Sequence, residues 1–587
     1  MSFFRPDTLQ QLLERARGYP DVGLRFVDAA ERESFHSWPE IEERSALVAG
    51  GLARLGVASG DRIGLLFPTS IDFIAAFFGT LLASAVPVPL YPPVRLGRMS
   101  EYHVRTAAML DTVEARLLLV DRRVRTVVGE TLATLPPRAL PLGTRTLEEL
   151  PPRARLTAAG HPQDLALVQF SSGTTVEPKP VALTQAAVLA QVRLLNAHWP
   201  DRADLPGGRP TGVSWLPLYH DMGLIGCVFT ALERPSTLTL LPPEAFIGKP
   251  ALWLRTLSRH RATISTAPNF AYALATQRIR DEEMVGVDLS GWEVALCGAE
   301  TVVPEVLRAF AARFARWGFR ATALVPVYGL SEAALAVTFP PLGRPFVARR
   351  FDRLALAARG EAMASPGGVE LASVGRALPG FELALRDEAG DAVGERRVGR
   401  LFVRGPSLLR GYLHQPEATA KALVDGWLDT GDLAFVDDGE LYLTGRAKEM
   451  ILVRGKNYAP ADLELAVAGL VDARPGCAVA ASYLPAGRAT EEVLLFVEHA
   501  KSASLEGMRL LESATREAVL ARTGLAVERV IVLPPGALPR TSSGKLRRGE
   551  TLRRYLGNAL TPPGKTGPVQ LAWILARSRW KLLRGMK

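Results

Sequence analysis

Strand-length apolar runs alternate with helical patterns along much of this chain, and that alternation does most to narrow the folds open to it. ATISTAP (262–268), WEVALCGAE (292–300) and ATALVPVYG (321–329) read as strands, and 305–317 between the last two reads as a helix. Upstream, 62–67 reads as a buried strand, 70 to about 84 as a core helix and 86–90 as the next strand. Continuous apolar strands bordered by helices suit a sheet covered on both faces. The expected fold class is α/β, with a large N-terminal unit of several subdomains built from layered sheets and helices. After about Gly445 the character changes, with strands near 477–483, 492–498 and 527–533 and a helix over about 505–521. This reads as a separate, smaller lid-like α+β unit, so the expected domains are 1–445 and 446–587. Chemistry is expected where the strands end at their carboxyl side.

Residues 73–90 carry no charge over 18 positions, the length of a membrane span, but Pro87 and Pro89 favour the helix-then-strand reading. The 587 residues, 48% apolar and 22% charged, exclude disorder as the main state and leave room for several subdomains with a cleft between them. Three scattered cysteines, Cys227, Cys297 and Cys477, form no CxxC pair, which suggests neither a disulfide framework nor structural zinc and fits a reducing compartment. The opening MSFFRPDTLQQLLERARG lacks the pattern of a secretory signal, so a cytoplasmic location is expected. The net charge of +10 is concentrated at the end, because 551–587 holds eight Lys/Arg and no acid and leaves +2 for the rest. Nucleic-acid binding is therefore not expected.

The sharpest local signal is QFSSGTTVEPKPVALT (169–184), where the apolar strand LALVQF runs into Ser171, Ser172, Gly173, Thr174 and Thr175, then Lys179. Small hydroxyl residues and glycine let backbone N–H groups converge on a polyphosphate, and a lysine adds a mobile positive charge. It is not a Walker A loop. Downstream come SWLPLYHDMGLIG (214–226), APNFAYALA (267–275), CGAE (297–300), VYGLSEAAL (327–335), LDTGD (428–432), TGRAKEMILVRGKNYAPADLE (444–464) and LPRTSSGKLRR (538–548). In order and spacing these blocks resemble the adenylate-forming superfamily of acyl and aryl ligases, and within it most closely the fatty acyl-AMP ligases. The resemblance covers nearly the whole chain.

The resemblance implies an enzyme that uses ATP and Mg²⁺ to convert a medium- or long-chain fatty acid to acyl-AMP, releasing pyrophosphate. Ser171, Ser172, Gly173, Thr174, Thr175 and Lys179 would hold the phosphates, and Glu332 with Thr174 would ligate Mg²⁺. Tyr328 would stack on adenine, beside Gly298, Ala299, Glu300, Gly329 and Ser331. Asp432 would accept from the ribose hydroxyls, and Arg446 would support the nucleotide from the domain junction. Lys545 is similar to the catalytic lysine that bridges the substrate carboxylate and the α-phosphate, and Lys448 falls where the family hinges. His220 would gate the acyl pocket, with Trp215, Met222 and Phe270 on its walls or in the core beside it. A general base is not needed, since a carboxylate is already ionised near neutral pH.

The wording of the blocks and a long segment at about 349–371 resemble acyl-AMP ligases rather than CoA ligases; in the family this insertion restrains domain rotation. The implied acceptor is then the phosphopantetheine arm of an acyl carrier protein in a polyketide or nonribosomal peptide pathway. A long-chain acyl-CoA ligase and a catalytically dead nucleotide- or lipid-binding homologue are the alternatives, and an amino-acid adenylation domain is a third. The sequence departs from the pattern at Val176 and Pro180 in the phosphate loop, at Cys297 before GAE and at Tyr458–Ala459; Pro180 lacks a backbone donor. The basic tail (561–587) has the composition of a short, weakly amphipathic helix, for which membrane-surface contact, carrier docking, packing and disorder all stay open.

Overall fold

The computed structural model describes residues 5–93, 99–151, 154–171, 178–199, 209–453, 456–485, 491–501, 504–541 and 545–562. Ser172, Gly173, Thr174, Thr175, Val176 and the basic tail beyond residue 562 lie outside the described residues.

The central sheet has seven strands in the order Leu324–Pro326, Val294–Cys297, Ile264–Ala267, Gly212–Ser214, Leu238–Leu240, Gly23–Val27 and Glu33–Ser37. All neighbours are parallel except the last pair. Ala267, Cys297 and Pro326 stand level in the register, so three loops leave the sheet side by side at its carboxyl edge. A second parallel sheet runs Val86–Leu90, Arg62–Leu66, Leu117–Val120, Thr144–Arg145. Helix Ile71–Leu82 connects its first two strands in the chain, and ten of its residues are buried. A helix apolar on every side has no solvent face and becomes core. Ser70 caps it, its Oγ accepting from the Phe73 N–H at 3.3 Å.

Antiparallel units fill the rest of the region before Arg446, among them two that border the site. Leu165–Phe170, Pro180–Thr184 and Gly411–Tyr412 form one, and Glu382–Arg386, Gly399–Arg404, Leu423–Val424, Trp427–Asp437 and Glu440–Arg446 form the other. Pro180 opens its strand opposite Phe170 and passes its carbonyl to the Leu413 N–H at 2.8 Å. The first residue of a strand is where a proline fits a sheet, so it begins the ladder here. The segment around 349–371 is ordered: strands Ala348–Phe351 and Val369–Ala372 pair antiparallel around helix Arg353–Arg359.

After Arg446 the chain builds separate sheets and separate apolar clusters. Ala473–Tyr483 pairs antiparallel with Glu492–His499, which pairs parallel with Arg529–Leu533, and helices Pro460–Val467, Leu505–Thr523 and Arg548–Leu556 accompany them. No described helix is long and apolar enough to cross a membrane.

Candidate active site

The carboxyl edge of the central sheet collects much of the candidate site. Strand Val294–Cys297 runs straight into Gly298, Ala299 and Glu300, and strand Leu324–Pro326 runs through Val327 into Tyr328. A Cβ on Gly298 would stand 2.9 Å from Val327 Cγ2, and one on Gly329 would stand 1.8 Å from the Leu335 carbonyl oxygen. Glycine alone lets these two loops approach so closely. Ala299 holds φ +69°, a left-handed conformation that costs an L-residue of order 1 kcal/mol. Glu300 Oε1 accepts from the Phe270 N–H at 2.6 Å, tying this loop to helix Asn269–Arg278.

Tyr328 is buried, and its hydroxyl donates to Asp432 Oδ2 at 2.7 Å. Asp432 and Arg446 are cross-strand partners, and Arg446 Nε lies 3.0 Å from Asp432 Oδ1. Each carboxylate oxygen keeps a further lone pair, so Asp432 can still accept from a ligand hydroxyl. Burial pushes the Asp432 carboxyl above its ordinary range, against the pull of Arg446 and Tyr328. Cross-strand pairing thus brings together two charged residues that sequence alone assigns to separate motifs.

A second group lies around Tyr412, which sequence reasoning missed. Its hydroxyl donates to Glu332 Oε1 at 3.0 Å, and Lys179 Nζ sits 4.3 Å from its ring centroid. Tyr412 arrives because Gly411–Tyr412 pairs with Pro180–Thr184, the strand that follows the phosphate-loop sequence. No local pattern announces a partner so far away in sequence. Burial pushes the Glu332 carboxyl up and the Lys179 ammonium down. Ser171 and Lys179 close the base of the loop, with Ser171 N–H donating to the Lys179 carbonyl at 2.9 Å and Lys179 N–H to Ser171 Oγ at 3.2 Å.

Asp221, also passed over, is buried. Its Oδ1 lies 2.5 Å from His220 Nδ1 and accepts from the Met222 N–H at 2.7 Å, and its Oδ2 accepts from the Ser331 hydroxyl. Burial works against its charge, yet His220 and Ser331 hold its carboxyl well below the usual carboxylate range. His220 Nε2 is buried and has no hydrogen-bond partner among the described residues. Trp215 and Met222 sit in an apolar core cluster, Trp215 stacked on Phe246 with centroids 4.0 Å apart, and Phe270 packs half-buried at its edge.

Lys545 comes from the C-terminal region, and Asp221, Glu300, Asp432 and Arg446 lie within electrostatic reach of it. Burial lowers its ammonium pKa, and the Asp221 and Glu300 charges oppose that. Lys448 is exposed, two residues beyond Arg446. Among the described residues no group of three His, Cys, Asp or Glu could hold a metal ion unaided. A hard oxygen donor such as Glu332, near the Lys179 ammonium, fits Mg²⁺, which binds through one or two carboxylates and completes its shell with phosphate and water.

A family described as AMP-binding enzyme matches residues 12–413. A protein of Caulobacter vibrioides described as a putative acyl-CoA synthetase is 35% identical over 562 residues, covering 94% of this chain and 95% of that protein. A long-chain-fatty-acid–AMP ligase of Mycobacterium tuberculosis is 31% identical over 572 residues, covering 93% and 96%. A solved structure from work on the fatty acyl-adenylate ligases of E. coli and L. pneumophila superposes with a TM-score of 0.86 at 31% identity, covering 94% of this chain and 98% of that one.

Proposed function

Because the chain belongs to the AMP-binding enzyme family, we propose that it is a fatty acyl-AMP ligase that joins a medium- or long-chain fatty acid to AMP at the expense of ATP. The observation that carries this reading is the Tyr328–Asp432–Arg446 group at the carboxyl edge of the central sheet, with Lys545 within electrostatic reach of it, while Lys179, Tyr412 and Glu332 gather where the phosphate-loop sequence begins and ends.

In the proposed reaction a carboxylate oxygen of the acid attacks the α-phosphorus of ATP, the bond to the bridging oxygen breaks, and pyrophosphate leaves. Asp432 accepts from the ribose hydroxyls with Arg446 beside it, and Tyr328 presents its ring to the base. Lys179 neutralises the leaving phosphates. Ser172, Gly173, Thr174 and Thr175 complete the phosphate loop. Lys545 offsets the charge that develops on the α-phosphate, a donor worth roughly 10²- to 10³-fold in rate. Mg²⁺, when bound through Glu332, would supply further charge neutralisation at the phosphates. His220 stands at the mouth of the acyl site, held against Asp221, and Trp215, Met222 and Phe270 form its apolar side.

Lys448 is the proposed hinge, dividing residues 1–445 from the small domain 446–587. The proposed acceptor is the phosphopantetheine thiol of an acyl carrier protein. The insertion supports this reading because Arg353 Nη1 reaches Asp462 Oδ2 at 3.0 Å across the proposed domain boundary, a contact that opposes rotation. An acyl-CoA ligase is the second reading, favoured by the 35% identical relative described as an acyl-CoA synthetase. The proposed setting is cytoplasmic. ATP–pyrophosphate exchange by the purified protein tests the first step; exchange that depends on an added fatty acid is expected, and none with any acid would overturn it.

A further inference from the structure

Arg548 lies three residues after Lys545 at the start of helix Arg548–Leu556, and its guanidinium is used on three sides. Nε donates to Glu464 Oε1 at 2.7 Å, Nη2 to Glu464 Oε2 at 2.7 Å and Nη1 to Glu449 Oε2 at 2.6 Å. All three side chains are largely buried, with relative exposures of 22%, 14% and 15% for Arg548, Glu464 and Glu449. Glu464 sits on helix Pro460–Val467, and its Oε1 also accepts from the Ala480 N–H of strand Ala473–Tyr483 at 3.0 Å. Glu449 ends the helical turn Ala447–Glu449 directly after Lys448, and that turn is closed by Met450 N–H donating to the Arg446 carbonyl at 3.1 Å. The loop carrying Lys545 is closed at its base: Thr541 N–H donates to the Lys545 carbonyl at 2.7 Å, Lys545 N–H to Thr541 Oγ1 at 3.0 Å, and Arg547 N–H to the Pro539 carbonyl at 3.0 Å.

We propose that Arg548 is a positioning residue for Lys545: it bolts the base of the lysine loop to Glu449, at the end of the turn Ala447–Glu449, and to helix Pro460–Val467. The inference rests on the reading of the chain as an acyl-adenylating enzyme that hinges at Lys448. A lysine side chain has four rotatable bonds, so its ammonium is placed only as well as its backbone is held. The planar fork of an arginine fixes two carboxylates at once in a way that a lysine at the same place does not. Arg446 and Glu449 lie three residues apart in one short segment, so the same turn that reaches Asp432 also braces the loop that delivers Lys545. Rotation at Lys448 then carries the ammonium as part of one rigid body.

The test is ATP–pyrophosphate exchange by the full chain with a panel of saturated acids from acetic to stearic. Arg548→Lys is expected to lower kcat about 10- to 100-fold, the scale of a misplacement near 1 Å, with KM for ATP and for the acid within about threefold. Glu449→Gln is expected to fall in the same direction by a smaller factor, and it keeps the question open to test should Arg548→Lys fold poorly. In a Lys545→Ala background Arg548→Lys is expected to cost nothing further, because it acts through that ammonium. Full additivity of the two substitutions, an unchanged kcat, or a loss carried by KM and thermal stability alone would overturn the proposal. Absence of exchange in the unaltered chain is a different result, and it would overturn the parent reading together with this one.

Discussion

Tyr412 shows how much of this site depends on single side chains with two duties. One hydroxyl orients Glu332 while the ring faces Lys179, so Tyr412→Phe removes the first contact and keeps the second. The variant is expected to raise the Mg²⁺ concentration for half-maximal exchange and to lower kcat/KM about tenfold, with ATP affinity measured without Mg²⁺ unchanged; a Mg²⁺ titration checks it. Lys545→Ala is expected to lower exchange about 10²- to 10³-fold with ATP binding largely kept. The pH profile follows from the same groups. Burial raises the Asp432 carboxyl, which faces Tyr328, Arg446 and Glu449, so the acid limb is expected above the ordinary carboxylate value as pH falls. Burial lowers the Lys545 ammonium, which faces Asp221, Glu300, Arg446 and Asp432, so the basic limb is expected below the ordinary lysine value as pH rises. A profile of kcat/KM wider than free carboxylate and lysine values allow would contradict both shifts. Glu332, Asp432 and Arg446 were legible in sequence because each stands in a recognisable block. Tyr412 and Asp221 were not: the first depends on a distant strand pairing, and the second sits beside a histidine that draws the eye.

Helices and strands were read from period and apolar content, and those signals were strongest where burial is complete. The strand and helix at 62–90 came out within a few residues, as Arg62–Leu66, Ile71–Leu82 and Val86–Leu90. The run at 321–329 was harder, because it divides into a helical turn Ala321–Ala323, strand Leu324–Pro326 and a Tyr328–Gly329 strand belonging to another sheet. A single apolar pattern conceals such a change of sheet, since each piece is buried. The insertion carries turn residues and charge, and its fold as a hairpin around a helix rests on pairing that no periodicity shows. At the far end, helix Arg548–Leu556 is secured by Glu550, which accepts from Arg553 and Arg554 while Arg554 also reaches Glu101 of helix Met99–Thr112 at 2.5 Å. Burial opposes the Glu550 charge, yet the two arginines bring its carboxyl down from 4.5 to about 2. A carboxyl depressed by two arginines contributes stability at neutral pH. The contribution is full above pH 4.5 and lost as pH falls towards 2. Glu550→Gln is therefore expected to lower unfolding stability at pH 7 and to approach the parent chain near pH 2, as denaturant titrations at the two pH values would show.

At the scale of the whole molecule, three ion pairs among the described residues join the region before Arg446 to the region after it: Arg353 with Asp462, Glu101 with Arg554, and Glu305 with Arg522 at 3.9 Å. They hold the C-terminal region where Lys545 lies within electrostatic reach of Asp221 and Glu300. Weakening one of them with Arg353→Ala is expected to leave adenylation within about threefold and to raise any transfer to CoA, since rotation of the small domain becomes easier. The choice of acceptor is the least legible property in the sequence, because on the proposed reading it rests on rotation of the small domain rather than on any one residue. The most direct measurement is a mass-resolved assay of the purified chain with MgATP, a panel of fatty acids, and CoA in half of the samples. Acyl-AMP accumulating in both halves without acyl-CoA is the result this account predicts. Efficient formation of acyl-CoA would contradict it.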